Sequence, residues 1–274
     1  MKKIEFSFIL KIILIFNVFS VLIPSLFLIN SSFRKSGEIL SNPLAVSGSL
    51  DFSNFVTVFE SGNFKIYVFN SFVVTLFAEI IIVIFGLLAG YALAKFKFKL
   101  NKFIYLIFLS GLLIPAKLAL VPLFIQLKNM NLLDSRLGLI LVYSAGALPA
   151  AVFIFTGFIK TLPSDLDNAA RIDGASEIQI FMKIMVPLIM PVTSIVGIYT
   201  AIPIWNDFLL PLVFIRDTSK MTIMQGLTVF FGEHANDWGA LFAGLTLAAL
   251  PLVFLYMILS KQFIRGLTNG AVKG

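Results

Sequence analysis

The chain has 274 residues, 59% of them hydrophobic and 13% charged, with a mean hydropathy of +0.99. A soluble domain carries about a quarter charged residues, so this composition excludes an ordinary soluble fold and points to a polytopic membrane protein of one domain. The net charge of +7 sits in short intervals between apolar runs rather than on a nucleic-acid surface, and with no Cys and one His there is no disulfide, thiolate nucleophile or multi-His metal site.

In chain order, Lys2 and Lys3 precede an apolar run over about 12–29. The run is too long for a signal-peptide core and lacks a small-residue cleavage site, so it reads as a retained first transmembrane helix. Residues 30–65 form a polar loop with apolar spots at Phe52, Phe55, Val58 and Phe59, which suits a short surface helix. A second span covers about 68–94, with Gly86 and Gly90 at a spacing that allows close helix packing. A third covers about 103–127, interrupted by Pro115 and Pro122, and a fourth about 137–159 around Pro149.

The stretch from Leu162 to Pro191 is the longest water-compatible interval between strongly apolar segments. Ser164 reads as an N-cap, with Asp165 and Asp167 in the first turn, where carboxylates favour the positive helix end. Gly174 reads as the stop. Ser176 and Gln179 have capping-box spacing for a second helix, which carries Ile180, Phe181, Ile184 and Met185 on one face until Pro187 ends it. Ala169 and Ala170 lack bulk, so another protein can approach closely. The shape suits a docking knob better than a catalytic pocket; the bland alternative is a connector lying on the membrane surface.

A fifth span covers about 188–215, with Pro191, Pro203 and Pro211, and a sixth about 240–260. The expectation is therefore an all-α protein with six transmembrane helices. Placing the N-terminus, the loop at 95–102, the loop at 161–187 and the C-terminus on one side gives that side thirteen Lys and Arg residues. The other side holds seven, and Lys117 inside a span completes the 21. The richer side should be cytoplasmic.

Glu79 and Lys117 lie deepest in apolar spans, where ionisable groups are usually paired or face a cavity. They either pair with each other or one lines a solute path. Trp205, Asn206 and Asp207 offer an aromatic face beside amide and carboxylate groups, which suits a sugar; the alternative is an interfacial Trp with a polar helix end. His234, with Glu233 and Asp237, reads as solvated. No P-loop, H-E-x-x-H or G-x-S-x-G occurs. The chain should therefore not bind ATP through a P-loop. An intramembrane enzyme would need a polar catalytic set, and a stand-alone channel or secondary transporter would leave the 162–187 loop unexplained.

The loop resembles the EAA loop of ABC importer permeases: Glu-Ala-Ala, three residues, Gly, nine residues, Ile-x-Leu-Pro. The matching positions are Asn168, Ala169, Ala170, Gly174, Ile184 and Pro187, with Asn168 in place of the usual Glu and Val186 in place of the usual Leu. Asn168 keeps hydrogen bonding but cannot form a salt bridge. The run Arg171 to Ser176 (RIDGAS), Ala89 to Ala94 (AGYALA), Asn70-Ser71, Trp205 to Phe208 with Pro211-Leu212, and the ending Arg265 to Gly274 resemble the carbohydrate-uptake branch, in particular its shorter permease.

The resemblance implies a type I ABC importer permease fold over 1–274, with a core over about 66–261. It implies that Asp167, Asn168, Ala169, Ala170, Arg171, Asp173, Gly174, Ile184 and Pro187 belong to a coupling loop docking on an ATPase. It also implies a second homologous permease, two ATP-binding subunits, an extracytoplasmic solute-binding protein, a carbohydrate solute, and no cofactor on this chain. A polyol or glycerol phosphate is the nearest alternative solute.

Overall fold

A computed structural model describes residues 2–60, 63–230 and 237–271. It is helical, in the order α1 (Lys2–Ser31), α2 (Ser36–Ser41), α3 (Ser53–Glu60), α4 (Phe64–Lys95), α5 (Asn101–Leu113), α6 (Leu120–Asn129), α7 (Arg136–Thr161), α8 (Asp165–Ile172), α9 (Glu177–Ile180), α10 (Val186–Asn206), α11 (Leu209–Phe214), α12 (Ile223–Gly226) and α13 (Trp238–Ala271). Among the described residues, five helices are long and apolar enough to cross a membrane, and six spans result if α5 and α6 count as one. Those two meet at 86° around Pro115 and a 3₁₀ turn, Ala116–Ala119. Proline at the break removes a donor and disfavours helix in the residue before it, which is why the third span bends.

The chain forms two compact units, 1–65 with 226–251 and 66–225 with 252–274. In the first, the buried Arg34 closes the 34–43 loop by donating to the carbonyls of Glu38, Asn42 and Pro43. Asn54 on α3, the expected surface helix, donates to the carbonyls of Ser32 and Arg34. His234 and Glu233 lie outside the described residues, while Asp237 accepts from Ser36.

In the second unit α7 is the centre. Leu139, Ala151, Val152, Phe155 and Ile159 are fully buried. Apolar lipid gives helices little reason to associate by hydrophobicity alone, so packing depends on small residues that let backbones approach. Gly86 and Gly90 supply this against α7: an added Cβ would stand 2.8 Å from Ala151 Cβ and 2.7 Å from Phe155 Cβ. Ile189, Val192 and Val196 of α10 and Val74, Ala78 and Ile82 of α4 complete the core.

Two expectations about proline change. Pro187 does not end a helix. Residues Glu177–Asn206 run as one 30-residue helix with a π turn at Phe181–Met185. The wider turn puts the Val186 N–H on the Phe181 carbonyl and relieves the clash between a proline ring and the carbonyl four residues back. The fifth span, in turn, stops at Asn206 rather than continuing to Ile215; Asp207 and Phe208 break it, and α11 follows.

Candidate functional site

The loop between α7 and α10 is built as two short helices around a glycine. α8 begins after Ser164, whose backbone is already helical (φ −66°, ψ −20°), so its hydroxyl makes no capping bond. The stop is as expected. Gly174 has φ +82°, its N–H donates to the Arg171 carbonyl (3.1 Å), and the Ala175 N–H donates to Ala170 (2.9 Å). This paired closure needs a left-handed residue, which glycine adopts without a Cβ penalty. The Ser176–Gln179 capping box then opens α9: the Ser176 N–H donates to Gln179 Oε1 at 2.8 Å, and the Gln179 N–H to Ser176 Oγ at 3.3 Å.

The loop has an inner and an outer face. Inward point Ala170, Ile180 and Met185, all buried, with Phe181 and Ile184 half-buried against the core. Ala170 thus spends its small size on its own chain. Asn168 and Ala169 are exposed. So are Leu166, Met182, Ile178 and Ile172, the last 87% exposed. Asp173, Gly174 and Pro187 are exposed as well. Arg171 donates to Glu177 across the bend at 2.8 Å, a half-exposed pair of small energetic weight.

Asp167 is the exception among the loop's charges. It turns inward and lies 2.5 Å from Lys95 Nζ at the end of α4, with side chains 5% and 12% exposed. Its other oxygen is buried without a hydrogen-bond partner among the described residues. A cleft of about 270 Å³ beside the pair is lined by Ala94, Lys160, Asn168 and Arg171. Sequence reasoning placed Asp167 in the loop but found no partner for it, because a residue so distant in sequence gives no local spacing signal.

Within the spans, Glu79 and Lys117 are not joined. Glu79 Oε1 lies 2.7 Å from the hydroxyl of buried Thr200 on α10, and Glu79 Oε2 is buried without a hydrogen-bond partner among the described residues. Lys117 is exposed in the 3₁₀ turn that bends the third span. The bend invalidates the equal-depth argument, which assumed a straight helix.

The Trp205–Asn206–Asp207 trio separates in the same way. Trp205 is 5% exposed and offers no open ring face. Asp207 caps α11 by accepting from the Leu209 and Leu210 N–H groups, and also accepts from the Tyr143 hydroxyl at 2.8 Å. Asn206 alone of the three is exposed.

At the opposite end of α7, Asp134 was not singled out in the sequence. Held at φ +52°, it accepts from the N–H groups of Arg216 (2.9 Å) and Asp217 (3.0 Å) and from Lys220 Nζ (3.1 Å). The Asp217 N–H above all, with Arg216 and Lys220 also contributing, holds its carboxyl below the usual aspartate range despite partial burial. Asn70 beside it donates to the carbonyls of Ser219 and Met221 and accepts from Arg136.

Comparison with known proteins agrees with this architecture. The sequence pattern described as "Binding-protein-dependent transport system inner membrane component" matches residues 82–269. The diacetylchitobiose uptake system permease protein NgcG of Streptomyces coelicolor is 35% identical, over 92% of this chain and 84% of its own length. The melibiose/raffinose/stachyose import permease protein MelC of Bacillus subtilis is 34% identical, over 92% and 91%. The arabinooligosaccharides transport system permease protein AraQ of Halalkalibacterium halodurans is 35% identical, over 98% and 97%. Among solved structures, a chain of a bacterial ABC transporter involved in import of the acidic polysaccharide alginate superposes with a TM-score of 0.81, covering 94% of this chain and 96% of that one. At 20% identity that likeness concerns the fold. With a helical core centred on α7, a two-helix loop closed by Gly174 and these relatives over nearly its whole length, the chain belongs to the family of binding-protein-dependent transport system inner membrane components.

Proposed function

We propose that this chain is one membrane-spanning half of an ATP-driven importer for a sugar or oligosaccharide. In this reading it pairs with a second permease and takes energy from two ATP-binding subunits. It receives solute from an extracytoplasmic binding protein. The saccharides named for its relatives support that solute class over a polyol or glycerol phosphate. The Lys and Arg distribution supports cytoplasmic termini and a cytoplasmic loop.

The observation that carries the reading is the outer face of the α8–Gly174–α9 loop. Ile172 and Ile178 are exposed on a segment that ends a polar interval, beside the exposed Asn168 and Ala169. Apolar side chains displayed there suit a protein partner. Asn168 contributes hydrogen bonds where the family's acid would contribute charge. The solute-contact proposal narrows to Asn206, since Trp205 is buried and Asp207 is occupied in capping.

The test is co-purification from membranes with a tag on this chain, repeated with Ile172→Asp and Ile178→Asp, which change exposed side chains and leave the buried ones in place. An ATPase carrying a P-loop should accompany the native chain and be lost from both variants. Full retention in both would remove the loop as the docking site. Saccharide-stimulated ATP hydrolysis by the complex is the following assay, and unchanged transport in Asn206→Ala would remove that residue from the solute path.

A further inference from the structure

The loop is gripped from one helix on both sides of its bend. On the α8 side, Lys95 closes α4 and pairs with the buried Asp167. On the α9 side, the ring of Tyr91 lies one turn earlier on the same helix and meets Phe181 at 4.9 Å between centroids. α4 also carries Glu79, about 24 Å along its axis from Lys95 at 1.5 Å per residue. Glu79 meets Thr200 of α10. A single long helix therefore touches the loop at its end and the neighbouring span at its middle.

The two attachments to the loop differ in kind. The Tyr91–Phe181 contact is a tilted packing of two rings with no directional bond between them. The Lys95–Asp167 pair is directional, close and largely withdrawn from solvent, and it is the one whose loss leaves a charge without compensation. The Arg171–Glu177 pair lies within the loop itself, half exposed, and Glu177 also lies near the Tyr91 side chain.

We infer that Lys95 and Asp167 are positioning residues that make the α8–Gly174–α9 loop move as one piece with α4. A displacement of α8 by the ATPase then reaches the spans instead of being absorbed at Gly174. This rests on the reading of the loop as the coupling site and adds the route by which its motion enters the membrane. The acid at 167 serves inside the permease, while position 168, which faces outward, carries the uncharged Asn.

The chain has no cysteine, so a single one can report on it. Phe208→Cys, in the break between α10 and α11, is labelled with a polar maleimide in the purified complex, with and without ATP, and the labelled chain is read after subunit separation. The background is native, Lys95→Met, Asp167→Asn, Lys95→Arg, or the reversed pair Lys95→Asp with Asp167→Lys. In the native background ATP should change the labelling rate by about fivefold or more, the scale of ordinary site-to-site coupling. Lys95→Met and Asp167→Asn should keep the ATPase bound and hydrolysing while the ATP-dependent change falls below about twofold. Lys95→Arg and the reversed pair should restore it.

A merely structural role would lower ATPase retention and the labelling change together, without rescue by the reversed pair, and would overturn the inference. So would an undiminished response in both Lys95→Met and Asp167→Asn, or no ATP response in the native background. Absence of any ATPase from the native preparation would instead overturn the coupling reading itself, and the inference with it.

Discussion

The two ends of α7 are held in opposite ways. At the Arg136 end, the 130–137 and 215–223 segments are stitched by bonds to backbone. Asp134 accepts two N–H groups and Lys220, Asn70 spans two carbonyls, and Ser71 accepts from the Ile223 N–H at 2.8 Å. At the Thr161 end, the α8 loop is held by side chains, through the Lys95–Asp167 pair, the Tyr91–Phe181 contact and the burial of Ala170, Ile180 and Met185, while α9 runs on into the fifth span. Backbone bonds fix one segment against another directly; at the loop the holding is done by side chains and by the helix that continues from Glu177. The first arrangement braces the 215–223 segment against the start of α7; the second ties the loop to α4. The 26 residues of α7 keep the two about 39 Å apart along the helix axis.

The largest effect should come from the seam that both ends share. In Gly90→Leu the new side chain meets Phe155 Cβ at 2.7 Å and the Thr156 backbone nitrogen at 3.1 Å, atoms that cannot swing aside. Overpacking of this kind costs about 1–3 kcal/mol. The melting temperature of the purified chain should fall, and ATPase capture with it; an unchanged melt would mean that α4 and α7 do not depend on that approach.

Next is Asp134→Ala, which removes the acceptor of two exposed N–H groups that can turn to water and should cost about 1 kcal/mol. Asp134→Asn, which keeps one acceptor oxygen and tolerates φ +52°, should lose less. ATPase capture should persist in both, since the stitched end is distant from the loop. Equal loss of capture from the two ends would erase the distinction between them.

At the loop, Gly174→Ala meets no neighbour within 4 Å, so its penalty is the left-handed backbone alone, about 1 kcal/mol. Gly174→Asn should be milder, because Asn visits that region more readily. A small drop in melting temperature with a larger drop in ATPase capture is expected; capture retained as in Asp134→Ala would erase the distinction between the two ends.

The smallest effect is a pH dependence. Asp134 has its carboxyl held below the usual value, so its contribution is complete above the unfolded value of 3.8 and is lost as the pH falls through the folded one. The native melt should therefore decline below about pH 4, and Asp134→Asn should remove part of that decline. Identical acid profiles would take Asp134 out of the knot.

Much of the fold was legible because local chemistry decided it. The apolar runs marked the spans, Gly174 the bend, Ser176 with Gln179 the second start, and Gly86 with Gly90 the close seam. Ser164 was read correctly as a boundary but not as a cap, since side-chain capping depends on a backbone angle that sequence does not display. Pro187 was misread because a π turn accommodates it, and Lys117 was misplaced because Pro115 bends the third span by 86° with its partner helix. Trp205 was open to two readings, a stacking face for a sugar or an interfacial ring, and it is buried.

By itself, then, the sequence determined that the chain is a bundle of membrane helices and where its one long polar interval bends. Both follow from hydropathy and from backbone preferences acting over a few residues. Only the tertiary structure decided which charge meets which. Lys95 finds Asp167, Glu79 finds Thr200 and Asp134 finds the Arg216–Lys220 segment. Ion pairs and long-range hydrogen bonds depend on distances of a few ångströms between elements, and helix packing around α7 sets those distances, not spacing along the chain.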